Sequence, residues 1–237
     1  MNNKIDYRFF DKTFQASSGV YFPKGEATEA DAQQNRKAVA EAMNGRLALL
    51  KQVHSPIATF RDGQLDAFLE ADAHVTNLPS IVLGILTADC VPVLFYSSCG
   101  GVIGAAHCGW RSARHGIIAN TIGMMKGLGA KDISAVIGPA IQKNSYEVSS
   151  EFYEDFISES AANDSFFERL SSDEGKFYFD LPSYVEAKIL EEGAKCAFKS
   201  KDDTYSNATK YHSRRRSFHD GCDYNGSLLS TIVIKPC

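Results

Sequence analysis

The sequence predicts a mixed α/β fold in a single domain, with a partly antiparallel sheet flanked by helices. Three observations carry that prediction. Apolar strand-like runs and helical patterns interleave with short joins over 237 residues, a length suited to one large domain or two small ones. No Pro/Ser-rich linker, internal repeat or low-complexity tract divides them. Residues 81–107 read as adjacent strands without the helix that strict βαβ alternation needs, so a mixed sheet is favoured over a doubly wound parallel one.

The elements follow in order. Tyr7–Phe10 and Val20–Phe22 are aromatic and β-prone, with Ser17-Ser18-Gly19 as the turn between them. ADAQQNRKAVAEAM, Ala30 to Met43, is an alanine-rich helix ended by Asn44-Gly45, and Arg36 within it reads as a solvated helix charge. Leu47 to Val53 is strand-like and leads to His54, which Pro56 places at a strand terminus. His74 lacks a partner in its surroundings and reads as a surface or satisfied histidine. Ile81–Leu86 leads into Thr87-Ala88-Asp89-Cys90, and Val91–Tyr96 follows. The paired glycines Gly100-Gly101 mark a turn, and Val102–Ala106 delivers His107. Hairpin strands run antiparallel, so Cys90 and His107 fall at the same edge of the sheet.

Residues 111–128 have helical spacing, with Ser112 as the cap and Arg111 at the start. Ile133–Ile137 is a strand and Gly138–Ile141 a turn. Tyr146-Glu147-Val148 runs into a helix near 150–160 capped by Ser149 or Ser150, and Ala161 to Gly175 is loop-like. Phe177–Pro182 ends a strand and starts a helix that runs from about Ser183 to Glu192. Asp180 is placed to cap it, the commoner role for such a carboxylate than catalysis. Cys196–Lys199 is a short strand, Tyr211-His212-Ser213-Arg214-Arg215-Arg216 is the densest basic cluster, suited to a solvated face or to binding phosphate or carboxylate, and Ser230–Ile234 is a closing strand.

The bulk composition narrows the function. A net charge of −4 gives no electrostatic case for nucleic acid or an anionic membrane. The apolar runs fall well short of the roughly 20 residues that span a bilayer. Six cysteines show no CxxC framework, and MNNKIDYRFF lacks the apolar core of a signal peptide, so reduced thiols and a cytoplasmic protein are expected. No GxGxxG, Walker-type loop or GxSxG is present, which weighs against nucleotide-cofactor and α/β-hydrolase readings.

His54, Cys90 and His107 each lie at a strand end, where loops build sites. Two imidazoles and a thiolate make a three-ligand set that leaves a fourth position open, the arrangement of an open zinc site. The same residues also read as a Cys90 nucleophile with His107 as base and a nearby Asp as orienter. They read equally as a buried cysteine beside a core histidine. Arg111 suits an anion or a carboxylate partner.

QVHS at 52–55, TADCVPVLF at 87–95, GAAHCGWRS at 104–112, GPAI at 138–141 and YEV at 146–148 strongly resemble the laccase-domain family. Asn35-Arg36, FDL at 179–181, and the TYS and SRRR segments of 204–216 extend the resemblance over nearly the whole chain. Members have been called multicopper polyphenol oxidases and are now seen as purine nucleoside phosphorylases and related enzymes. The resemblance implies zinc, rather than copper, at His54, Cys90 and His107. It also implies a small-molecule pocket for a purine nucleoside and phosphate, with Arg36 and Arg111 as contacts. Phosphorolysis of adenosine, inosine and methylthioadenosine, and deamination of adenosine, are the expected activities. Asp180 and Glu147 are weak candidates for the acid.

Three departures from the family pattern stand out. Cys108 beside a zinc ligand is placed to compete for metal or to be oxidised. Ser112 replaces a glycine, and Asp203 replaces a cysteine, which alters local charge. Three rival readings remain: a peptidoglycan-precursor editing hydrolase, a copper-dependent phenol oxidase, and a non-catalytic module whose zinc site is closed by a fourth ligand such as Cys108.

Overall fold

The computed structural model describes residues 5–14, 20–22, 28–65, 68–98, 100–171, 173, 175–223 and 226–236. The expected turn at Ser17-Ser18-Gly19 lies outside the described residues. The aromatic run forms β1 (Ile5–Phe10). The alanine-rich segment forms α1 (Glu29–Ala42), which Thr28 caps reciprocally with Asp31. The single strand expected over 47–53 is two short ones, β2 (Arg46–Ala48) and β3 (Leu50–Lys51). They pair with different partners, and the buried Arg61 holds the Leu49 carbonyl at the break.

The short strands β4 (Ala58–Phe60), β5 (Leu69–Glu70) and β6 (Ala73–Thr76) come next. The long runs then form β7 (Ile81–Thr87), β8 (Val91–Ser97) and β9 (Ile103–Cys108). The helix expected over 111–128 is two, α2 (Trp110–Arg114) and α3 (Ile117–Gly127), broken at Gly116 with φ 91°. Ser112 is not the cap: Gly109 holds that position, and the Ser112 hydroxyl donates instead to the carbonyl of His107.

Beyond β10 (Ile133–Ile137) the chain forms β11 (Glu147–Ser149) and α4 (Ser150–Glu159), capped by Ser149. The part 161–169 of the stretch read as a loop is regular structure. It holds a 3-10 helix over Ala161–Phe166 and β12 (Phe167–Arg169), because Phe167 packs on Phe179 at 4.7 Å. β13 (Lys176–Phe179), α5 (Leu181–Glu191) and β14 (Lys195–Lys199) follow. The basic cluster opens α6 (Arg214–His219), and β15 (Leu228–Ile234) is buried throughout.

Two principal sheets result. One runs β1-β15-β7-β2 and the other β14-β10-β8-β9-β6-β4, each mixing parallel and antiparallel pairs. β8 and β9 pair as expected, but β7 is not their neighbour; it belongs to the facing sheet. The crossing is made at Asp89, whose φ of 91° turns the chain sharply between β7 and β8.

The two sheets bury Leu83, Ile85 and Ile232 against Leu94, Ile103 and Ala105. The other face of the larger sheet packs on α3 and α5 through Ile118, Ile122 and Val185. That of the smaller sheet packs on Val39 and Met43, at the end of α1. Helices therefore cover both outer faces, and strands buried on both sides read as unbroken apolar runs. Among the described residues no helix is long and apolar enough to cross a membrane.

His74 is neither at the surface nor satisfied. It pairs across the sheet with Ala105, so it faces the apolar layer between the sheets, and it is 0 % exposed. Neither ring nitrogen has a hydrogen-bond partner among the described residues. Burial and the charge of Arg61 hold its pKa well below 6.5, with only the Gly84 backbone pulling the other way. The unfolded chain therefore takes up a proton as pH falls below about 6.5, while the folded chain does not. The stability this confers is whole above that pH and declines below it, by about 1.4 kcal/mol per pH unit. Replacing the group removes the slope. Urea unfolding at about pH 7.5 and about pH 5.5 should show a smaller loss for His74→Leu than for the parent; equal losses would mean that His74 is protonated in the folded state.

Candidate functional site

The site forms at one end of the two-sheet sandwich. Cys90 directly precedes β8, and the pairing of Val91 with Cys108 and of Pro92 with His107 brings it beside the end of β9. His54 arrives in the loop after β3 with φ 60°, a left-handed conformation unusual for a side-chain-bearing residue. One ligand atom from each of His54, Cys90 and His107 lies within 4.8 Å of the others, with Cys90 Sγ 3.9 Å from His54 Nε2. The two imidazole rings meet edge to face at 4.6 Å. Gly109 makes room: a Cβ there would sit 2.8 Å from the His54 ring and 3.2 Å from Cys90 Sγ.

The loop carrying His54 is held by a residue the sequence reading passes over. Asp72 is 0 % exposed, and its carboxylate accepts from the N–H groups of Val53 (3.1 Å), His54 (2.9 Å) and Ser55 (2.6 Å). It also accepts from the Ser55 hydroxyl at 2.9 Å and from His107 Nδ1 at 2.8 Å. Burial alone pushes this carboxyl up, but the bonds from His107 and Ser55 overcome it and hold the pKa at about 2. An ionised carboxylate only accepts, so His107 carries its proton on Nδ1 and presents Nε2 to the site. Burial disfavours charge on Cys90 and His107 alike. Their mutual attraction nevertheless lowers the thiol to about 6 and, with help from Asp72, raises the imidazole to about 9. Two imidazoles and a readily ionised thiol are a donor set that can hold a borderline metal ion such as zinc.

A second buried acid organises the opposite wall. Asp89 accepts from Thr204 Oγ1 at 2.7 Å, Ser213 Oγ at 3.0 Å and the Arg215 N–H at 2.7 Å. The start of α6 is thereby fixed beside Cys90. Arg216 donates to the carbonyls of Thr204, Tyr205 and Tyr211, so it is a structural pin. Arg214 and Arg215 line a cavity of about 1000 Å³, as do Arg111, Trp110 and Tyr146. His54, Cys90 and His107 line the same cavity. Arg111 stacks on Trp110 at 4.7 Å, and Trp110 in turn meets Phe152 edge-on at 5.1 Å. Neither Arg111 nor Arg214 has a carboxylate partner among the described residues.

A family model described as multi-copper polyphenol oxidoreductase laccase matches residues 21–235. The chain belongs to this laccase-like family. A purine nucleoside phosphorylase of Rickettsia conorii is 40% identical over 237 residues, covering 99% of this chain and 98% of its own. One from Rickettsia prowazekii is likewise 40% identical, at the same coverage. The crystal structure of a Neisseria meningitidis protein of the DUF152 family superposes with a TM-score of 0.86 at 26% identity, covering 98% of this chain and 95% of that one.

Arg36 is not among the residues lining the main cavity. Its guanidinium donates to the Tyr21 carbonyl and pairs with Glu29, while Asn35 holds the Val20 carbonyl. Together they grip the segment that carries Phe22 to the cavity wall. Asp180 caps α5 through the Ser183 N–H, and Glu147 pairs with Lys176. Neither lines the cavity. Asp203 is a staple: it accepts from the N–H groups of Gln142 and Tyr205 and from the Ser145 hydroxyl. Cys108 alternates with His107 along β9, so it packs into the helix-side core, and burial with the nearby Cys90 and Asp72 charges pushes its thiol pKa up.

Asp72→Asn keeps the shape of the side chain and removes its charge, and the amide cannot accept from every donor now gathered there. Loss of such an outer carboxylate costs about 10- to 100-fold in metal affinity. Competition with a chromophoric chelator should show a zinc affinity lower by that factor; unchanged affinity would mean the loop holds its form without the carboxylate.

Proposed function

We propose that this chain is a zinc-containing purine nucleoside phosphorylase acting on adenosine, inosine or methylthioadenosine with phosphate, with adenosine deamination as a second activity. The observation that carries the reading is the donor cluster on the wall of a cavity of about 1000 Å³ that Arg111 and Arg214 also line. The names of its Rickettsia relatives support the same reaction class.

His54, Cys90 and His107 would hold the zinc. The cluster offers three donors among the described residues, all of them lining the cavity, and Cys108 packs into the core rather than with them. Zinc supplies Lewis acidity there when bound. The protein's own groups account for the rest of the site. Arg111 and Arg214 present forked cationic donors suited to phosphate. Trp110, Tyr146 and Phe22 give flat apolar walls suited to a purine ring. A cavity of this size encloses a nucleoside and an inorganic anion together.

Incubation of metal-loaded protein with adenosine should give adenine and ribose 1-phosphate only when phosphate is present. His107→Ala should lose stoichiometric zinc and activity together; an active, zinc-free variant overturns the assignment. Arg111→Ala removes a charged hydrogen bond worth about 1.5–3 kcal/mol, so the KM for phosphate should rise about 10- to 100-fold. Inosine formed without phosphate would instead show that the deaminase activity dominates.

A further inference from the structure

Cleaving a purine from ribose needs a group to stabilise the departing base. Among the described residues lining the cavity, the acidic side chain is Asp89 alone, and its two oxygens already accept three hydrogen bonds. Gln52 is committed at both ends of its amide to the Leu86 backbone. The arginines are cations, matched to an anion rather than to a heterocycle. Tyr146 differs from all of these. Its hydroxyl has no hydrogen-bond partner among the described residues, although its ring lines the cavity beside Cys90, Trp110 and Arg111.

The ring is also held firmly. The Tyr146 N–H donates to the Lys143 carbonyl and its own carbonyl accepts from the Phe179 N–H, both at 3.0 Å. Phe179 packs on the ring at 5.8 Å, and the Arg215 guanidinium covers it at 5.2 Å. Arg215 is itself tied to the Glu147 carbonyl at 2.9 Å, and its N–H is held by Asp89. A firmly held O–H donor thus stands in the cavity, near enough to Cys90, Asp89 and Arg111 to feel their charges.

We infer that Tyr146 is a catalytic residue that donates a hydrogen bond to the departing purine base, an inference that rests on the phosphorylase reading above. As a phosphate oxygen bonds to the anomeric carbon, the glycosidic carbon–nitrogen bond breaks and its electron pair passes to the purine ring. The Tyr146 hydroxyl meets that growing negative charge. The proton the purine finally carries is the one given up by hydrogen phosphate, so the tyrosine ends the cycle unchanged.

The test uses Tyr146→Phe in the full, zinc-loaded chain, with inosine and 7-methylguanosine as substrates. The second nucleoside already carries a positive charge on its base, which leaves neutral and without help from a donor. The inosine kcat should fall about 100-fold, as for loss of one preorganised donor. The 7-methylguanosine rate, zinc content and phosphate KM should stay close to those of the parent. The unpartnered hydroxyl contributes no hydrogen bond to the fold, so the melting temperature should not move. Equal losses on both substrates would make Tyr146 a structural residue and overturn the inference, as would full activity on inosine. A parent enzyme that leaves both nucleosides intact in phosphate overturns the phosphorylase reading itself.

Discussion

The buried carboxylate of Asp72 is the interaction on which the candidate site depends. An ionised carboxylate can stay out of water only if its oxygens are fully engaged, and Asp72 engages the Val53, His54 and Ser55 N–H groups, the Ser55 hydroxyl and His107 Nδ1. One charge thereby sets the loop on which His54 stands and the tautomer in which His107 is held. Neither task is done by the hydrophobic core, which packs side chains but cannot orient an imidazole. The desolvation cost is offset locally, by donors that the loop would otherwise leave unpaired.

Asp89 repeats the device on the other side. It ties the segment around Thr204, Ser213 and Arg215 to the residue next to Cys90. These segments are more than a hundred residues apart in the chain, yet they share one carboxylate. Tyr146 is positioned through the same network, since Arg215, whose N–H Asp89 holds, covers the Tyr146 ring. The donor cluster and the proposed anion-binding arm are therefore mechanically joined through two adjacent residues, Asp89 and Cys90.

Much of this was legible in the sequence. β7, β8, β9 and β15 are runs of apolar residues because both faces are buried, and period-2 pairing places Cys90 near His107. His54 joins them only through a turn and a carboxylate that no local pattern announces. Asp72 sits between Ala71 and Ala73 in a stretch that reads as an ordinary strand entry; its one signal is an isolated acid flanked by buried alanines. The sheet change at Asp89 is equally silent, because a positive φ at a non-glycine residue is imposed by distant partners rather than by propensity. Arg36 is a different case. Its segment matches the family's Asn-Arg, but the structure directs the guanidinium to a backbone carbonyl and a glutamate.

Strain and order balance at the same positions. His54 and Asp89 both occupy left-handed backbone, which costs on the order of 1–3 kcal/mol for each residue. Such conformations persist only where the surroundings over-determine them. At His54 the over-determination is Asp72, which holds three consecutive N–H groups around the strained residue. At Asp89 it is the side chain's own three hydrogen bonds, together with the bond from the Ile141 N–H to its carbonyl. Gly109 completes the arrangement, since any side chain there would meet the His54 ring. The ligand geometry is thus built by hydrogen bonds within the protein, and a metal arriving at the cluster would meet donors already gathered rather than having to collect them.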